Sequence, residues 1–257
     1  MIPKWLDRAL SARTTGVSSH YHAYKCWRWG DPHLHLVGSL CRADKLAIDI
    51  GANCGEYTYV LRHAARACIA FEPNPELADL LRRRFPRGVI MLPHAVSDQR
   101  GRQTLRIPQL DGEENLGRAT IEAANRFEQF RGVTVETVRL DDMALTDIGL
   151  VKIDVEGHEK AILDGALDTL RRERPNLLIE LEERHRPGIT RQVFDLLSPF
   201  GYHGLFLWDG KMLPQHMFDP AVHQQLRDGQ PAARYAWNFV FTTDDAVLAR
   251  VARWTVK

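Results

Sequence analysis

Two short runs carry the residues best suited to chemistry. Lys152-Ile-Asp-Val-Glu-Gly-His-Glu159 is an apolar strand that ends in Asp154, turns through Gly157 and enters a helix. Leu177-Leu-Ile-Glu-Leu-Glu-Glu-Arg-His185 is a second strand that ends in acids and a histidine. Open α/β sheets bind ligands outside the carboxyl ends of their strands, so Asp154, His158, Glu180, Glu182 and His185 form the candidate catalytic set. Crowded carboxylates disfavour joint ionisation and raise at least one pKa. Such a set could take a proton from a hydroxyl, hold a cationic group, or bind Mg²⁺ through Asp154 and Glu180 with water completing the shell. The histidines have the ordinary pKa best suited to a base at neutral pH, so the expectation is metal-free proton removal, with Mg²⁺ as the alternative. Glu156 and Glu159 read as first-turn acids that stabilise a helix dipole. The spacing in Glu182-Glu-Arg-His185 is not that of a zinc-protease helix.

A third run supplies a binding turn. Leu46-Ala-Ile-Asp-Ile is a buried strand that passes through Gly51-Ala-Asn-Cys-Gly55 into a helix, and Glu72 stands at the end of the following strand. Asn53 occupies the place where a dinucleotide fold needs its second glycine, and the Gly-Lys-Ser/Thr of a phosphate loop is absent, so a pyrophosphate is not the expected ligand. An acid at the position of Glu72 can accept both hydroxyls of a ribose. A nucleoside without a bridging phosphate fits, and S-adenosylmethionine is that ligand. Asp49 is expected on its ammonium side, Gly51, Ala52, Asn53 and Gly55 along its methionine portion, and Glu72 at its ribose.

The elements that must position these residues alternate short apolar runs with amphipathic stretches, the pattern of helices laid on a parallel sheet. Strands are predicted at Leu46–Ile50, Cys68–Glu72, Val89–Leu92, Leu150–Asp154, Leu177–Leu181, Tyr202–Trp208 and Trp237–Thr242. Helices are predicted near Glu56–Arg66, Pro75–Phe85, Glu159–Glu173 and Thr190–Phe200, and another begins at Asp31-Pro32 in a helical N-terminal cap, rich in Trp and Tyr, over residues 1–45. Half-exposed strands at Gly101–Leu110 and Gly132–Val138 interrupt the alternation as an insertion over the sheet. Its polar residues Asn115, Arg118 and Thr120 would suit a polyhydroxylated acceptor. A second insertion, Asp209–Ala236, reads as too long for a hairpin turn; Trp208 and Trp237, which flank it, read as core residues.

Composition narrows the partners. Lys plus Arg number 34 against 33 for Asp plus Glu, a net charge of +1, which leaves no footprint for nucleic acid or an acidic membrane. The four cysteines form no C-x-x-C pair and read as reduced thiols. Neither a signal sequence nor a membrane span is visible, and a cytoplasmic location is expected.

Asp49-Ile-Gly-Ala-Asn-Cys-Gly55, Phe71-Glu-Pro-Asn-Pro75, Val96-Ser-Asp98, Leu140-Asp-Asp142, Lys152-Ile-Asp-Val-Glu-Gly-His-Glu159 and Leu178-Ile-Glu-Leu181 together resemble the FkbM family of S-adenosylmethionine-dependent methyltransferases. The match runs in order from about Lys45 to Glu183. The resemblance implies an α/β fold of the class I methyltransferase type: a Rossmann-like sheet of seven strands, the last antiparallel, over residues 46–257. It implies Asp98 near the adenine amino group. It also implies O-methylation of hydroxyls on sugars, glycans or glycosylated metabolites, a non-sugar metabolite or an inactive nucleoside-binding module being the alternatives. Residues 1–45 and 209–236 lie outside the strong match, and they are the parts expected to choose a substrate.

Overall fold

The structure, a computed structural model, describes residues 32–110, 113–123, 125, 127–227 and 230–255. The chain enters through a 3₁₀ turn, Pro32–His35, and a short helix α1 (Val37–Leu40). The helix expected from Asp31-Pro32 is therefore two pieces, and the cap before Pro32, with its Trp and Tyr residues, lies outside the described residues.

Two βα steps and a third strand follow in the order read from the sequence: β1 (Leu46–Ile50), α2 (Glu56–Ala64), β2 (Ala67–Phe71), α3 (Pro75–Arg84) and β3 (Val89–Leu92). Helix α3 starts where its capping signals sit, with the Asn74 side chain accepting from the Glu76 N–H and Pro75 in the first turn. The first insertion holds β4 (Ala95–Val96), β5 (Gly101–Leu110), β6 (Glu113–Glu114) and β7 (Phe130–Val138), a separate sheet in the order β4-β7-β5-β6. The β-rich insertion is thus present where the alternating pattern put it.

The chain then returns to the main sheet through β8 (Ile148–Ile153), α4 (Glu159–Asp164), α5 (Leu167–Glu173), β9 (Asn176–Glu180), α6 (Ile189–Leu197), β10 (His203–Trp208), β11 (Lys211–Pro214), α7 (Pro220–His223), the small ribbon β12 (Leu226–Arg227) and β13 (Gln230–Pro231), β14 (Asn238–Thr242) and α8 (Asp245–Ala252). The sheet order is β11-β10-β14-β9-β8-β1-β2-β3. β14 runs antiparallel to both β9 and β10, as expected of the last strand.

Two expectations need correction. The sheet has eight strands instead of seven, because the second insertion opens with a hairpin. Asp209 and Gly210 take φ of 49° and 74° between the paired residues Trp208 and Lys211, the left-handed two-residue turn that Asp-Gly favours. The helix expected over Glu159–Glu173 is broken into α4 and α5 at Gly165 and Ala166, and a Cβ on Gly165 would stand 2.2 Å from the Ser97 carbonyl oxygen.

Alternate residues of the strands feed two cores, as a period of two requires. Ile48, Ile50, Ile153 and Phe239 pack with α4 and α6 on one face. Ala47, Leu150, Leu178 and Val240 pack with α1, α2 and α8 on the other. Cys41, Cys54 and Cys68 carry free thiols.

Candidate functional site

A cavity of about 780 Å³, counted out to its mouth, opens at the carboxyl ends of β1, β2, β3, β8 and β9. Its floor carries Gly51, Asn53, Glu72, Asp154 and Glu180. Its roof is the first insertion, through Leu105, Leu116, Gly117, Ala119, Thr120 and Ile121. The roof is fastened down: the Thr120 hydroxyl donates to the carbonyls of Glu156, at 3.0 Å, and Val155, at 3.3 Å, and Asn125 also donates to Glu156 O.

One end is organised by Glu72. It is 6% exposed, and its two carboxylate oxygens accept the backbone N–H groups of Asn53 (2.8 Å) and Asn74 (2.9 Å). Each oxygen keeps a lone pair for a further donor. Burial pushes the Glu72 carboxyl up to about 7 against the pull of those two N–H groups. Apolar Val96, Leu105, Leu116 and Ile121 line the walls, and His94 adds a polar edge, its Nε2 3.5 Å from a Glu136 oxygen. A vicinal diol beside a flat heterocycle fits this donor and acceptor set, so the chain's residues suit the nucleoside end of S-adenosylmethionine.

The glycines of the turn have another explanation than ligand approach. A Cβ on Gly51 would lie 1.9 Å from the Asp154 carbonyl oxygen, and one on Gly55 would lie 2.6 Å from Leu81 and Phe85 side-chain atoms. Gly51 and Gly55 also take φ of 77° and 86°, and Asn53 sits between them at 48°, a region that asparagine tolerates. Gly51 and Asn53 line the cavity, whereas Ala52 and Gly55 pack beneath it.

Asp49 departs from its expected place. It shares a strand face with Ala47 and points toward α2, fully buried, where it accepts from the Thr58 hydroxyl at 2.5 Å and pairs with Lys152 at 3.4 Å. Lys152, its register partner on β8, is 4% exposed and also reaches Asp154 (3.3 Å) and the Gly51 carbonyl (3.0 Å). Burial works against this ammonium, but Asp154 and Asp49 hold its pKa above the ordinary value. Asp49 is not among the residues that line the cavity.

The other end is a cluster of charge. Asp154, Glu156 and Glu180 each present an oxygen within 4.8 Å of the others. Burial raises the Asp154 carboxyl, Lys152 opposing. It raises Glu180 well above the ordinary carboxylate range, helped by the charges of Asp154, Glu182 and Glu156. Glu182 is buried beside these: desolvation opposes its ionisation, but bonds from His185 and Arg184 hold it down at about 2. His185 Nε2 lies 2.9 Å from Glu156 and 3.4 Å from Glu182, and these partners outweigh burial and lift the imidazole to about 9.

These contacts sort the expected site residues. His158 lines the cavity, but both ring nitrogens are engaged, Nε2 with Ser97 Oγ at 2.9 Å and Nδ1 with Glu122 at 3.3 Å. Glu182 and His185 stand behind Glu156 and do not line the cavity, nor do Asn115, Arg118 and Asp98, the last holding Ser97 Oγ at 3.0 Å. Glu183 caps α6 through the N–H groups of Gly188 and Thr190. Trp208 packs edge-on against His223, and Trp237 stacks on Tyr235.

Three contributors went unseen in the sequence. Glu156 is not a first-turn acid; it lies before the N-cap His158 with φ of 56° and turns its carboxylate into the cluster. His94 follows β3 at a strand's carboxyl end, a positional signal that was available. Tyr235, from the second insertion, is buried against Glu182, and that burial pushes its phenol up.

Comparison with known proteins places these features. A family model described as "Methyltransferase FkbM domain" matches residues 49–204. The 2-O-methyltransferase NoeI of Sinorhizobium fredii is 29% identical over 189 residues, 65% of this chain and 77% of that protein. The hexuronic acid methyltransferase AglP of Haloferax volcanii is 27% identical over 172 residues, 64% of this chain and 66% of AglP. Among solved structures, a methyltransferase FkbM from Methylobacillus flagellatus superposes with a TM-score of 0.48 at 16% identity, covering 91% of this chain and 57% of that one.

Proposed function

The chain belongs to the FkbM methyltransferase family, and from that premise we propose that it moves a methyl group from S-adenosylmethionine to a hydroxyl of a sugar or glycan. The observation that carries the reading is the pairing of a backbone-held carboxylate, Glu72, at one end of the cavity with Asp154 at the other. Glu72 binds the ribose hydroxyls through its remaining lone pairs. The sugar acceptor is supported by AglP, whose name records a hexuronic acid, and by the polar end of the cavity.

Bound S-adenosylmethionine supplies a methyl group on a positively charged sulfur, which is the electrophile. The chain's part is to place a hydroxyl in line with that methyl carbon and to take the proton as the new carbon–oxygen bond forms. Asp154 is the base. It lines the cavity, one of its oxygens is held by Lys152, and the other is left to receive a proton. His158 has both nitrogens engaged and His185 is held as a cation, so neither competes for this role. Asp98 and His158 brace the adenine side through Ser97, and Thr120 carries the roof over the acceptor. A positioned base contributes about 10²–10⁴-fold. The negative cluster also favours the cationic sulfur electrostatically. Proton removal by Asp154 runs without a metal, although Asp154, Glu156 and Glu180 are hard oxygen donors of the kind Mg²⁺ takes.

Titration calorimetry with S-adenosylhomocysteine, followed by radiolabelled methyl transfer to a panel of neutral and acidic sugar glycosides, tests the proposal. Binding with transfer to a sugar is expected. Binding with no transfer to any hydroxyl acceptor would leave a nucleoside-binding module, and transfer only to non-sugar alcohols would overturn the acceptor class.

A further inference from the structure

Glu156 is a cavity acid that neither holds the ribose nor takes the proton. It lines the cavity, and one of its oxygens lies within 4.8 Å of oxygens on Asp154 and Glu180. Its backbone sits in the left-handed region, at φ of 56°, where a glutamate is uncommon and is kept only if its surroundings impose it. Here they do. Its carbonyl oxygen accepts from the Thr120 hydroxyl at 3.0 Å and from Asn125 Nδ2 at 2.5 Å, so the roof pins the backbone. From behind, His185 Nε2 stands 2.9 Å from Glu156 Oε2 and 3.4 Å from Glu182, which Arg184 holds by two hydrogen bonds. Backbone and side chain are both fixed, with the carboxylate beside the base.

The wall around it offers nothing to an anion. Among the described residues that line the cavity there is no lysine or arginine. Lys152 is spent on Asp49, Asp154 and the Gly51 carbonyl. His158 has both ring nitrogens engaged, and His94 stands 3.5 Å from Glu136. An acceptor whose hydroxyl reaches Asp154 therefore brings the neighbouring substituent of its ring against Glu156, with no free cation on the wall to meet it. A carboxylate in that place is repelled, because like charges in one site disfavour each other. A hydroxyl or an ammonium is a donor, which a carboxylate accepts in a charge-assisted hydrogen bond.

We propose that Glu156 selects the acceptor: its carboxylate accepts a hydrogen bond from a second polar group of the sugar, beside the hydroxyl that gives its proton to Asp154, and turns away sugars that carry a carboxylate. The substrate class is a neutral or amino sugar. The inference rests on the sugar methyltransferase reading and deepens it. Discrimination comes as much from the repelled acid as from the accepted donor.

The test compares wild type with Glu156→Gln at neutral pH on methyl glucoside, methyl glucosaminide and methyl glucuronoside. Methyl transfer gives kcat/KM for each glycoside, and calorimetry gives the affinity for S-adenosylhomocysteine. Wild type should favour the glucoside and the glucosaminide over the glucuronoside by at least about tenfold, the worth of one charged hydrogen bond. Glu156→Gln should shrink that ratio by a similar factor and bind S-adenosylhomocysteine as wild type does. The ratio decides, because a disturbed Asp154 or a loosened fold slows all three glycosides alike. A wild type that uses the glucuronoside as well as the glucoside, or a ratio that the substitution leaves unchanged, would overturn the proposal. Equal losses for all three glycosides, together with weakened S-adenosylhomocysteine binding, would also overturn it and assign Glu156 to the cofactor. Transfer by wild type to none of the three would instead overturn the sugar reading on which the inference rests.

Discussion

The two ends of the cavity are held by different means. At the nucleoside end Glu72 is fixed by two backbone N–H groups, both within a few residues of a strand end. At the acceptor end Asp154, Glu156 and Glu182 are fixed by side-chain cations, Lys152, His185 and Arg184. A backbone cradle costs little further ordering, and its two donors carry no charge of their own to titrate. A cluster of opposed side chains is coupled, so that one titration or one substitution alters the charge of its neighbours. The first arrangement suits a ligand that every turnover shares, and the second suits chemistry in which a proton must move.

The largest break of this contrast is Asp154→Asn. The amide keeps the shape but loses basicity, so turnover should fall by about 10²-fold or more while affinity for S-adenosylhomocysteine falls less. Steady-state rates set beside calorimetric affinities read the split; turnover within about threefold of wild type would move Asp154 to a structural role. Glu72→Ala should do the reverse. Charged hydrogen bonds to the ribose are worth about 1.5–3 kcal/mol each before compensation, so S-adenosylhomocysteine binding should weaken by at least about tenfold, with little change in the rate at saturation. An unchanged dissociation constant removes the ribose role.

How legible each end was follows from the same difference. Asp49, Gly51, Gly55 and Glu72 could be read because strand ends and positive-φ turns are local, and the order of strands and helices follows from local periodicity. Even there, the face on which Asp49 lies, shared with the buried Ala47, is a matter of counting by two along β1. Glu156 and Lys152 could not be weighed, because their partners arrive from β1 and from the loop after β9. The eighth strand was legible in Asp209-Gly210 and was hidden by the length of the insertion, whereas the close approach of the Ser97 carbonyl to Gly165 comes from the loop after β4, which no local pattern reports.

A smaller effect belongs to the acceptor end and depends on pH. The folded pKa of His185, about 9, lies above its unfolded value of about 6.5. The stability it contributes is therefore fully present below about pH 6.5 and is lost as pH rises through about 9. The shift corresponds to ~3 kcal/mol at most, and the lowered pKa of Glu182 expresses the same interaction seen from its partner. Thermal unfolding of wild type and His185→Gln should differ most at pH 6 and converge above pH 9; a constant offset across that range would show that the imidazolium contributes nothing. The smallest expected effect is that of EDTA. Activity should survive it, because Asp154 takes the proton directly; activity lost to EDTA and restored by Mg²⁺ would recast Asp154, Glu156 and Glu180 as ligands and make the acceptor end a metal centre.

The bare α-carbon of Gly51 has a consequence for how lineages of this protein can change. Any side chain there would strike the Asp154 carbonyl, so the demand for glycine comes from the meeting of two loops and would persist in a descendant that had stopped binding any ligand. Such a descendant would keep its glycine signature intact, so the glycines alone would not tell it from a working enzyme. In comparing relatives, the glycine turn is a marker of descent.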